Sequence, residues 1–338
     1  MIMILGFLVI AGCEPSHQTS QYVGTRGVDF DFSTNMPPDQ VYVNDVVYFG
    51  FDVFNRGAHG LVGGKQGVLT LDYNPLYFEI EGTQPDIFSL TDQSNRLYTT
   101  FNVDGRRTSY TQGEKTVVNL GLLRAQLPGT RESVNTALNA NICYPYRTFL
   151  SDVVCIDTNV FEDVTDPLCR STPKTYTGGQ GAPISVSRVN PLMMPIRVIE
   201  DETETTVSIV DEHGQFWGVE SEVVSTRHVV LKPVFEIHIR NVGGGTPFYS
   251  DDRTILDACL RSDETRQLNK VYVEADLQGL ELDCTPRIVD LKDGITRCEV
   301  RDDDLSATSS SYNAVLNVEL EYYYVDSQSK SVSIRRLR

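Results

Sequence analysis

Two stretches of this chain share an alternating pattern and end in the same turn signal. The first reads Phe49-Gly-Phe-Asp-Val-Phe-Asn-Arg-Gly57, and the second, 186 positions later, reads Phe235-Glu-Ile-His-Ile-Arg-Asn-Val-Gly243. Apolar residues at every second position predict strands with one buried face. Because Gly adopts positive φ at no steric cost, Asn-x-Gly after such a run predicts a turn with Gly57 and Gly243 at positive φ. The chain is therefore expected to contain two similar β-sandwiches.

Tyrosine-rich stretches provide a second pair of matches. Alternate positions of 138–146 hold Leu, Ala, Ile, Tyr and Tyr, and those of 316–324 hold Leu, Val, Leu, Tyr and Tyr. The offset here is 178, whereas that of the first pair is 186. The two pairs of matches therefore indicate one repeat with a short deletion between the matched strands. All of these alternating residues are expected to be core side chains.

Length and composition support two all-β domains. The 338 residues are enough for about two domains. Tyr (16) and Phe (14) far outnumber Trp (1), and such aromatic residues favour strands. The net charge of −17 argues against nucleic-acid binding, because a phosphate backbone requires a face rich in Lys and Arg. The predicted fold class is all-β, with two tandem Ig-like antiparallel β-sandwich domains after a short hydrophobic N-terminal segment.

The N-terminus carries an apolar run over residues 2–10, followed by Ala11-Gly12-Cys13. A run this short cannot span a bilayer as a helix, but it suits the core of an export signal. The stretch from Val9 to Cys13 resembles the lipobox of secreted lipoproteins, and this resemblance implies that Cys13 is lipidated. No Lys or Arg precedes the run, which departs from the lipobox pattern. An uncleaved membrane anchor and a processed soluble form are therefore the alternatives.

Composition shifts divide the chain into five predicted segments. These are 1–13, a signal, lipobox or membrane anchor; 14–21, a polar tether; 22–165, the first sandwich; 166–183, a linker; and 184–338, the second sandwich. The linker contains Gly178-Gly-Gln-Gly-Ala-Pro183 and is expected to carry few contacts between the halves. Each half is therefore expected to fold on its own. Within the second half, a hairpin is predicted around residues 211–214.

Six cysteines follow Cys13 and are disulfide candidates: Cys143, Cys155, Cys169, Cys259, Cys284 and Cys298. An even set in an exported protein predicts disulfides, and no Cys-x-x-Cys spacing favours the alternative of zinc. Six cysteines allow 15 connectivities, and the sequence does not choose among them; free thiols are a further alternative. Cys143 and Cys155 lie on the two arms of one hairpin predicted to turn at 147–151, and Cys284 and Cys298 bracket a short segment, so these are two candidate pairs. The remaining cysteine of each half would bridge the domains or pair within its own half.

No motif in the sequence indicates catalysis. The five histidines, His17, His59, His213, His228 and His238, show no metal-ligand spacing and are expected on the surface. The glycine-rich segment around Lys65 is not a phosphate loop, because Gln66 stands where Ser or Thr is required. Asp302, Asp303 and Asp304 are weak candidates for calcium, since they lack the spacing of a calcium loop. No cofactor is otherwise expected.

Several short motifs resemble a known group of domains. Gly24-Thr-Arg-Gly27, the Pro37-Pro38 turn and the Asn55-Arg-Gly57 turn together resemble the entry to the CARDB-like and related Ig-like adhesion domains, and the first two with the Gly-Gly-Gln-Gly-Ala-Pro linker carry a second resemblance. This second resemblance is to uncharacterised secreted proteins of small-genome archaea. This resemblance covers most of the chain as a pattern, and it implies a fold and a cell-surface location without implying an activity.

The sequence favours a non-enzymatic cell-surface or envelope protein, exported and tethered to the membrane through its N-terminal anchor. Its tandem domains would present a binding or adhesion surface to a protein or glycan partner. One alternative is a filament or envelope subunit that self-associates by adding a strand at an exposed sheet edge. A second alternative is an enzyme whose site has no recognised motif.

Overall fold

The computed structural model describes residues 22–82, 88–90, 95–157, 168–210, 216–251, 254–260, 266–301 and 311–337. Cys13 and the acidic triplet of Asp302, Asp303 and Asp304 lie outside these described residues. Lipidation of Cys13 and calcium binding by the triplet therefore stay predictions.

The described chain is built almost entirely of strands. Those of the first half are β1 (Val28–Phe32), β2 (Gln40–Tyr42), β3 (Val46–Asn55), β4 (Gly67–Asp72), β5 (Phe78–Gly82), β6 (Phe88–Leu90), β7 (Arg96–Phe101), β8 (Lys115–Ala125) and β9 (Ser133–Ile156). Those of the second half are β10 (Lys174–Thr175), β11 (Ile184–Val210), β12 (Phe216–Asn241), β13 (Thr246–Tyr249), β14 (Gln267–Leu268), β15 (Lys270–Leu277), β16 (Leu280–Thr285), β17 (Ile288–Asp290), β18 (Ile295–Val300) and β19 (Tyr312–Arg335), with one short helix, α1 (Ile255–Leu260). The all-β prediction is confirmed.

The strands form two sheets whose apolar faces share a core. A four-stranded sheet has the order β1-β3-β8-β5, and a longer sheet runs β10-β11-β12-β18-β16-β15-β19-β9-β4-β7-β6. Strand β3 shows the predicted alternation, with Phe49, Phe51 and Val53 buried. The corresponding residues of β12, including Phe235 and Ile237, are buried in the same cluster. The repeated strands predicted from the sequence therefore both face the core.

Strands β9 and β19 join the two halves of the chain. They pair antiparallel over 24 residues, from Ser133 opposite Arg335 to Ile156 opposite Tyr312. Pro145 lies opposite Tyr323, its own equivalent at the offset of 178. The two tyrosine strands are thus related by an approximate twofold axis through this pair, and the repeats meet across a continuous sheet.

The predicted linker is bonded to the first half. Gly24 donates its backbone N–H to the carbonyl of Gly178 at 2.7 Å and accepts one from Gly181 at 2.7 Å. Ala58 donates to the Gly181 carbonyl at 2.7 Å, and Ala182 is fully buried. The expectation of few contacts between the halves near residues 178–183 is wrong, because the glycines let this segment lie against the first half. Autonomous folding of 22–165 and 184–338 stays a prediction, and the shared sheet argues against it.

Strands β11 and β12 form one long hairpin. Their pairing runs from Ile184 opposite Asn241 to Val210 opposite Phe216, so the two arms of the predicted hairpin are paired, while residues 211–214, where its turn is predicted, lie outside the described residues. Only five residues of β12, Val234 to His238, also pair with β18. We refer to the part of this hairpin beyond β18, residues 197–210 and 216–231, as the β11–β12 ribbon.

Three disulfides connect the six described cysteines. They join Cys143 to Cys259, Cys155 to Cys169, and Cys284 to Cys298. The last pair is one of the two candidate pairs, whereas the other candidate, Cys143 with Cys155, is wrong. Both residues lie on the single strand β9, twelve positions apart, which separates them by roughly 40 Å. Cys143 instead bridges the two halves of the chain.

Candidate functional site

A hydrogen-bonded turn follows β3 in the first half. Asn55 donates from Nδ2 to the carbonyl of His59 at 2.7 Å, and its Oδ1 accepts the N–H of Gly57 at 3.0 Å. The Tyr146 hydroxyl donates to the same Oδ1 at 3.3 Å and accepts the N–H of His59 at 3.2 Å. One buried tyrosine therefore fixes both ends of the turn.

The same arrangement recurs after β12 in the second half. Asn241 donates from Nδ2 to the carbonyl of Gly245 at 2.9 Å, and its Oδ1 accepts the N–H of Gly243 at 3.1 Å. The Tyr324 hydroxyl donates to Asn241 Oδ1 at 3.3 Å and accepts the N–H of Gly245 at 2.7 Å. The Asn, Gly and Tyr of this turn lie at the positions equivalent to those of the first turn, so the repeat in the sequence is also a repeat in the structure.

The turn glycines have a different role from the one predicted. Neither Gly57 nor Gly243 has positive φ, so that prediction is wrong. A Cβ on Gly57 would instead overlap the Tyr146 hydroxyl and lie 2.8 Å from the Gly181 carbonyl. A Cβ on Gly243 would overlap the Tyr324 hydroxyl. Glycine is required because the tyrosine comes within hydrogen-bonding distance of the turn.

Four buried tyrosines, Tyr144, Tyr146, Tyr322 and Tyr324, surround the approximate twofold axis. Their neighbouring ring centroids are 5.6 to 6.4 Å apart, within the range of favourable aromatic pairs. Burial raises the pKa of all four hydroxyls, so they remain protonated and act as fixed donors. This cluster is structural, and the prediction that these residues belong to the core is confirmed.

A groove of about 770 Å³ opens beside this cluster. The loop after β3 supplies His59 and Lys65 to one side, and the end of β13 supplies Tyr249 to the other. The central pairing of β9 and β19 forms the floor with Arg147 and Tyr323. The groove is therefore made by both halves of the chain and depends on their pairing.

His59 is the most unusual side chain of the groove. It is half-buried, and its Nδ1 accepts the Arg147 Nε–H at 3.2 Å, which places the proton of the neutral ring on Nε2. This buried Nε2 has no hydrogen-bond partner among the described residues. Burial, followed by the charges of Arg147 and Lys65, lowers the pKa of His59 to about 4. His59 is thus a neutral N–H donor at neutral pH, and the expectation of a surface histidine is wrong.

Charged groups of both signs line the groove. They are the basic Lys65, Arg106, Arg107 and Arg147 and the acidic Asp104, Asp251 and Glu321. Arg107 pairs with Asp104, whereas Arg147 pairs with Glu319 outside the groove at 3.0 Å. Lys65 has no ion pair with any residue that the structure describes, and Arg106 Nε has no hydrogen-bond partner there. The lining has one more positive than negative group in a chain of net charge −17.

Aromatic rings complete the lining. Tyr249 stacks on Tyr272 with ring centroids 5.9 Å apart, and Tyr323 stacks on Phe248 at 5.2 Å. The Tyr249 hydroxyl donates to Asp251 at 2.6 Å, and this hydrogen bond raises the pKa of Tyr249 to about 12. The groove thus combines stacked tyrosines with hydrogen-bond donors.

Sequence reasoning did not find this site. Its residues come from separate segments near positions 59, 106, 147, 250 and 322, and no spacing in the sequence connects them. Within the described ranges, no group of three or more His, Cys, Asp or Glu side chains is placed to hold a metal ion. The part of the chain that the structure describes contains no helix with the length and apolarity needed to cross a bilayer.

No protein-family model and no curated protein sequence matches the chain. Similar solved structures include the C-terminal domain of the Streptococcus pyogenes antigen I/II-family protein AspA, at 10% identity and a TM-score of 0.21, covering 92% of this chain and 100% of that chain. The C-terminal domain of the Streptococcus agalactiae AgI/II polypeptide BspA matches at 8% identity and a TM-score of 0.20, covering 91% of this chain and 98% of that one. At these TM-scores, neither likeness supports a conclusion about this chain.

Proposed function

We propose that the protein is a non-enzymatic cell-surface protein, tethered through Cys13, whose groove binds an acidic glycan. Three disulfides support an extracellular location, because such bonds persist in oxidising compartments. The groove volume of about 770 Å³ lies within the usual range of ligand sites.

The observation that carries the proposal is the set of donors around His59 without partners. His59 Nε2 and Arg106 Nε have no acceptor among the described residues, and Lys65 has no ion pair there. A carboxylate in the groove can pair with the exposed Lys65 ammonium, and charge-assisted bonds of this kind are strong. His59 Nε2 and Arg106 Nε are buried, so they can donate to it only when the side chains that cover them move. The stacked Tyr249 and Tyr323 add apolar ring surface against which a sugar ring can pack.

Binding is favoured over acid–base catalysis by the state of the same histidine. A general base works best when its pKa is near the working pH, and the pKa of His59 is lowered to about 4. Its acceptor nitrogen is also occupied by Arg147 at 3.2 Å. At neutral pH His59 can therefore donate a hydrogen bond but has no free lone pair with which to remove a proton.

Calorimetric titration with polygalacturonate, an acidic glycan, tests the proposal against neutral dextran of similar length. We expect binding of polygalacturonate that weakens as salt rises, and about tenfold weaker binding by Lys65→Ala. Lys330→Ala is the matched control, because Lys330 pairs with Asp39 away from the groove. Equal binding of dextran, or no effect of Lys65→Ala, would contradict the proposal. Binding of polyglutamate alone would assign the groove to an acidic protein segment instead.

Membrane tethering is tested separately by Cys13→Ala. We expect the wild type to partition with membranes and the variant to appear in the soluble fraction, with Ser16→Ala as the control in the same polar stretch. Two acyl chains are needed for stable attachment, since a single chain binds only marginally. Unchanged partitioning of Cys13→Ala would rule out the lipid anchor.

Assembly by strand addition is the second candidate function, and one observation favours it. Along the β11–β12 ribbon, the outer edge of β12 is paired with no other strand that the structure describes. Such an edge presents unpaired backbone N–H and C=O groups on which another chain can add a strand.

A further inference from the structure

The β11–β12 ribbon extends beyond the rest of the sheet. In the described chain, residues 216–231 of β12 pair only with β11, whereas pairing with β18 on the other edge of β12 begins at Val234. Sixteen residues at the usual strand rise give a free edge of roughly 50 Å. A two-stranded ribbon is marginally stable by itself in water, and three or more strands are needed for independent stability. The free edge of β12 is therefore long enough to pair with another strand, and such pairing would stabilise the ribbon.

The outer edge of β11 in the ribbon is protected against pairing. Just before the ribbon begins, Pro191 and Pro195 remove backbone donors, and the register shifts between Pro195 and Arg197. Four acidic residues follow within five positions: Glu200, Asp201, Glu202 and Glu204. Prolines, irregular register and like charges are devices that keep sheet edges unpaired. A second copy of β11 added there would also place acids opposite acids.

The edge of β12 carries fewer of these features in the ribbon, and its one irregularity is a register shift at the tip, where Gly218 and Phe216 pair with β11 and Trp217 is skipped. Residues 216–231 contain no proline, and their pairing with β11 is regular from Gly218 to Val230. The charged residues are of both signs, with Glu220 and Glu222 toward the tip and Arg227 toward the base. Val223 and Val224 lie midway between them, at positions where β-branched residues favour strands.

We propose that the free edge of β12 pairs with the same edge of a second copy of this chain, antiparallel and centred on Val224. This inference rests on the proposed assembly function and names its partner. In this register Glu220 lies opposite His228 of the partner subunit, and Val219 lies opposite Val229 of the partner subunit. Gly218, the last regularly paired residue before the tip, lies opposite Val230 of the partner subunit, so the added strand ends before Val234, where the pairing with β18 begins.

This pairing closes on itself. Each copy offers the same edge to the other, so the contact is isologous and its symmetry is twofold. The two ribbons become one four-stranded ribbon, and the contact gives a dimer that does not grow into a filament. The free β11 edges, with their acidic residues, lie on the outside of that ribbon.

The proposal is tested by measuring the molar mass of the full-length chain by size exclusion with light scattering. The variants carry a charge at residue 224, which the proposed twofold axis places opposite residue 224 of the second copy. We expect a dimer for the wild type and monomers for Val224→Lys and for Val224→Asp, because each variant places like charges opposite each other. An equimolar mixture of the two variants should again give dimers, in which Lys and Asp face each other. Thr203→Lys is the matched control, since Thr203 lies opposite Val224 on β11, and it should remain dimeric.

Three results would overturn the inference. They are a monomeric wild type at all concentrations, dimers of both single-charge variants, and no dimer in their mixture. If the wild type is monomeric while electron microscopy shows it in ordered arrays on the native cell surface, the proposed assembly function is retained. Only the proposed pairing between the β12 edges of two copies is then refuted. Isolated molecules on that surface, together with a monomeric wild type, would refute assembly as well.

Discussion

Replacing Gly57 by alanine tests how closely the tyrosine cluster holds the repeated turn. The new Cβ would overlap the Tyr146 hydroxyl, and it would lie 2.8 Å from the carbonyl oxygens of both Arg26 and Gly181. Two of these three neighbours are backbone atoms held in hydrogen-bonded segments. The side chain of Tyr146 must therefore move, or the linker must separate from the first half.

The cost of moving Tyr146 follows from the hydrogen bonds that its hydroxyl makes. Displacing the ring breaks the bonds to Asn55 and His59, and a buried polar group left unpaired costs about 1–3 kcal/mol. Overpacking adds about 1–3 kcal/mol. Together these terms lead us to expect that Gly57→Ala lowers the free energy of unfolding by about 2–6 kcal/mol, which is a large part of the stability of a typical domain.

Urea denaturation monitored by tyrosine fluorescence measures this difference, and neighbouring glycines provide the controls. Gly243→Ala should cost less, about 1–3 kcal/mol, because its turn is half-exposed and can relax. Gly244→Ala should change stability by less than about 0.5 kcal/mol, since no atom lies within 4 Å of its Cβ. Equal effects of Gly57→Ala and Gly244→Ala would refute the close-approach explanation.

The joined halves and the buried histidine lead to three further predictions. Because β9 and β19 share one sheet, thermal unfolding monitored by calorimetry should give a single transition, and two separate transitions would contradict this. The Cys143–Cys259 bond closes a loop of 116 residues, so its removal by paired serine substitutions should cost about 4–5 kcal/mol, against about 3 kcal/mol for Cys155–Cys169 with its separation of 14. Since the folded pKa of His59 is lowered from 6.5 to about 4, stability should fall by about 1–3 kcal/mol as pH decreases through that window, and His59→Gln should remove this part of the dependence.

Local periodicity made the repeated strands predictable. Alternating apolar residues specify a strand and its buried face without reference to distant parts of the chain, so the core positions of β3, β12 and the tyrosine strands could be read directly. The hairpin between β11 and β12 also follows from a short polar stretch between two alternating runs. These features depend on neighbours within a few residues.

Features that depend on distant residues could not be read in this way. The sequence after Tyr146 was expected to turn, but pairing with β19 keeps β9 extended through Pro145 to Ile156, which separates Cys143 from Cys155. The role of Gly57 depends on a tyrosine 89 positions away, and no local rule can supply that contact. The groove likewise exists only after the halves pair, so its residues had no common pattern in the sequence.

The two repeats share a scaffold, and the candidate site lies where they differ. His59 and Gly245 are equivalent positions, and the backbone N–H of each donates to the hydroxyl of the equivalent tyrosine. That bond uses only the backbone, so it does not require a particular side chain at this position. In the first repeat it is an imidazole, held by Arg147 with its Nε2 turned into the groove wall, and in the second it is absent. A symmetric framework that fixes the backbone on both sides of the axis therefore allows the side chain at this position to differ between the repeats, and the proposed ligand-binding groove lies on the side that carries the histidine.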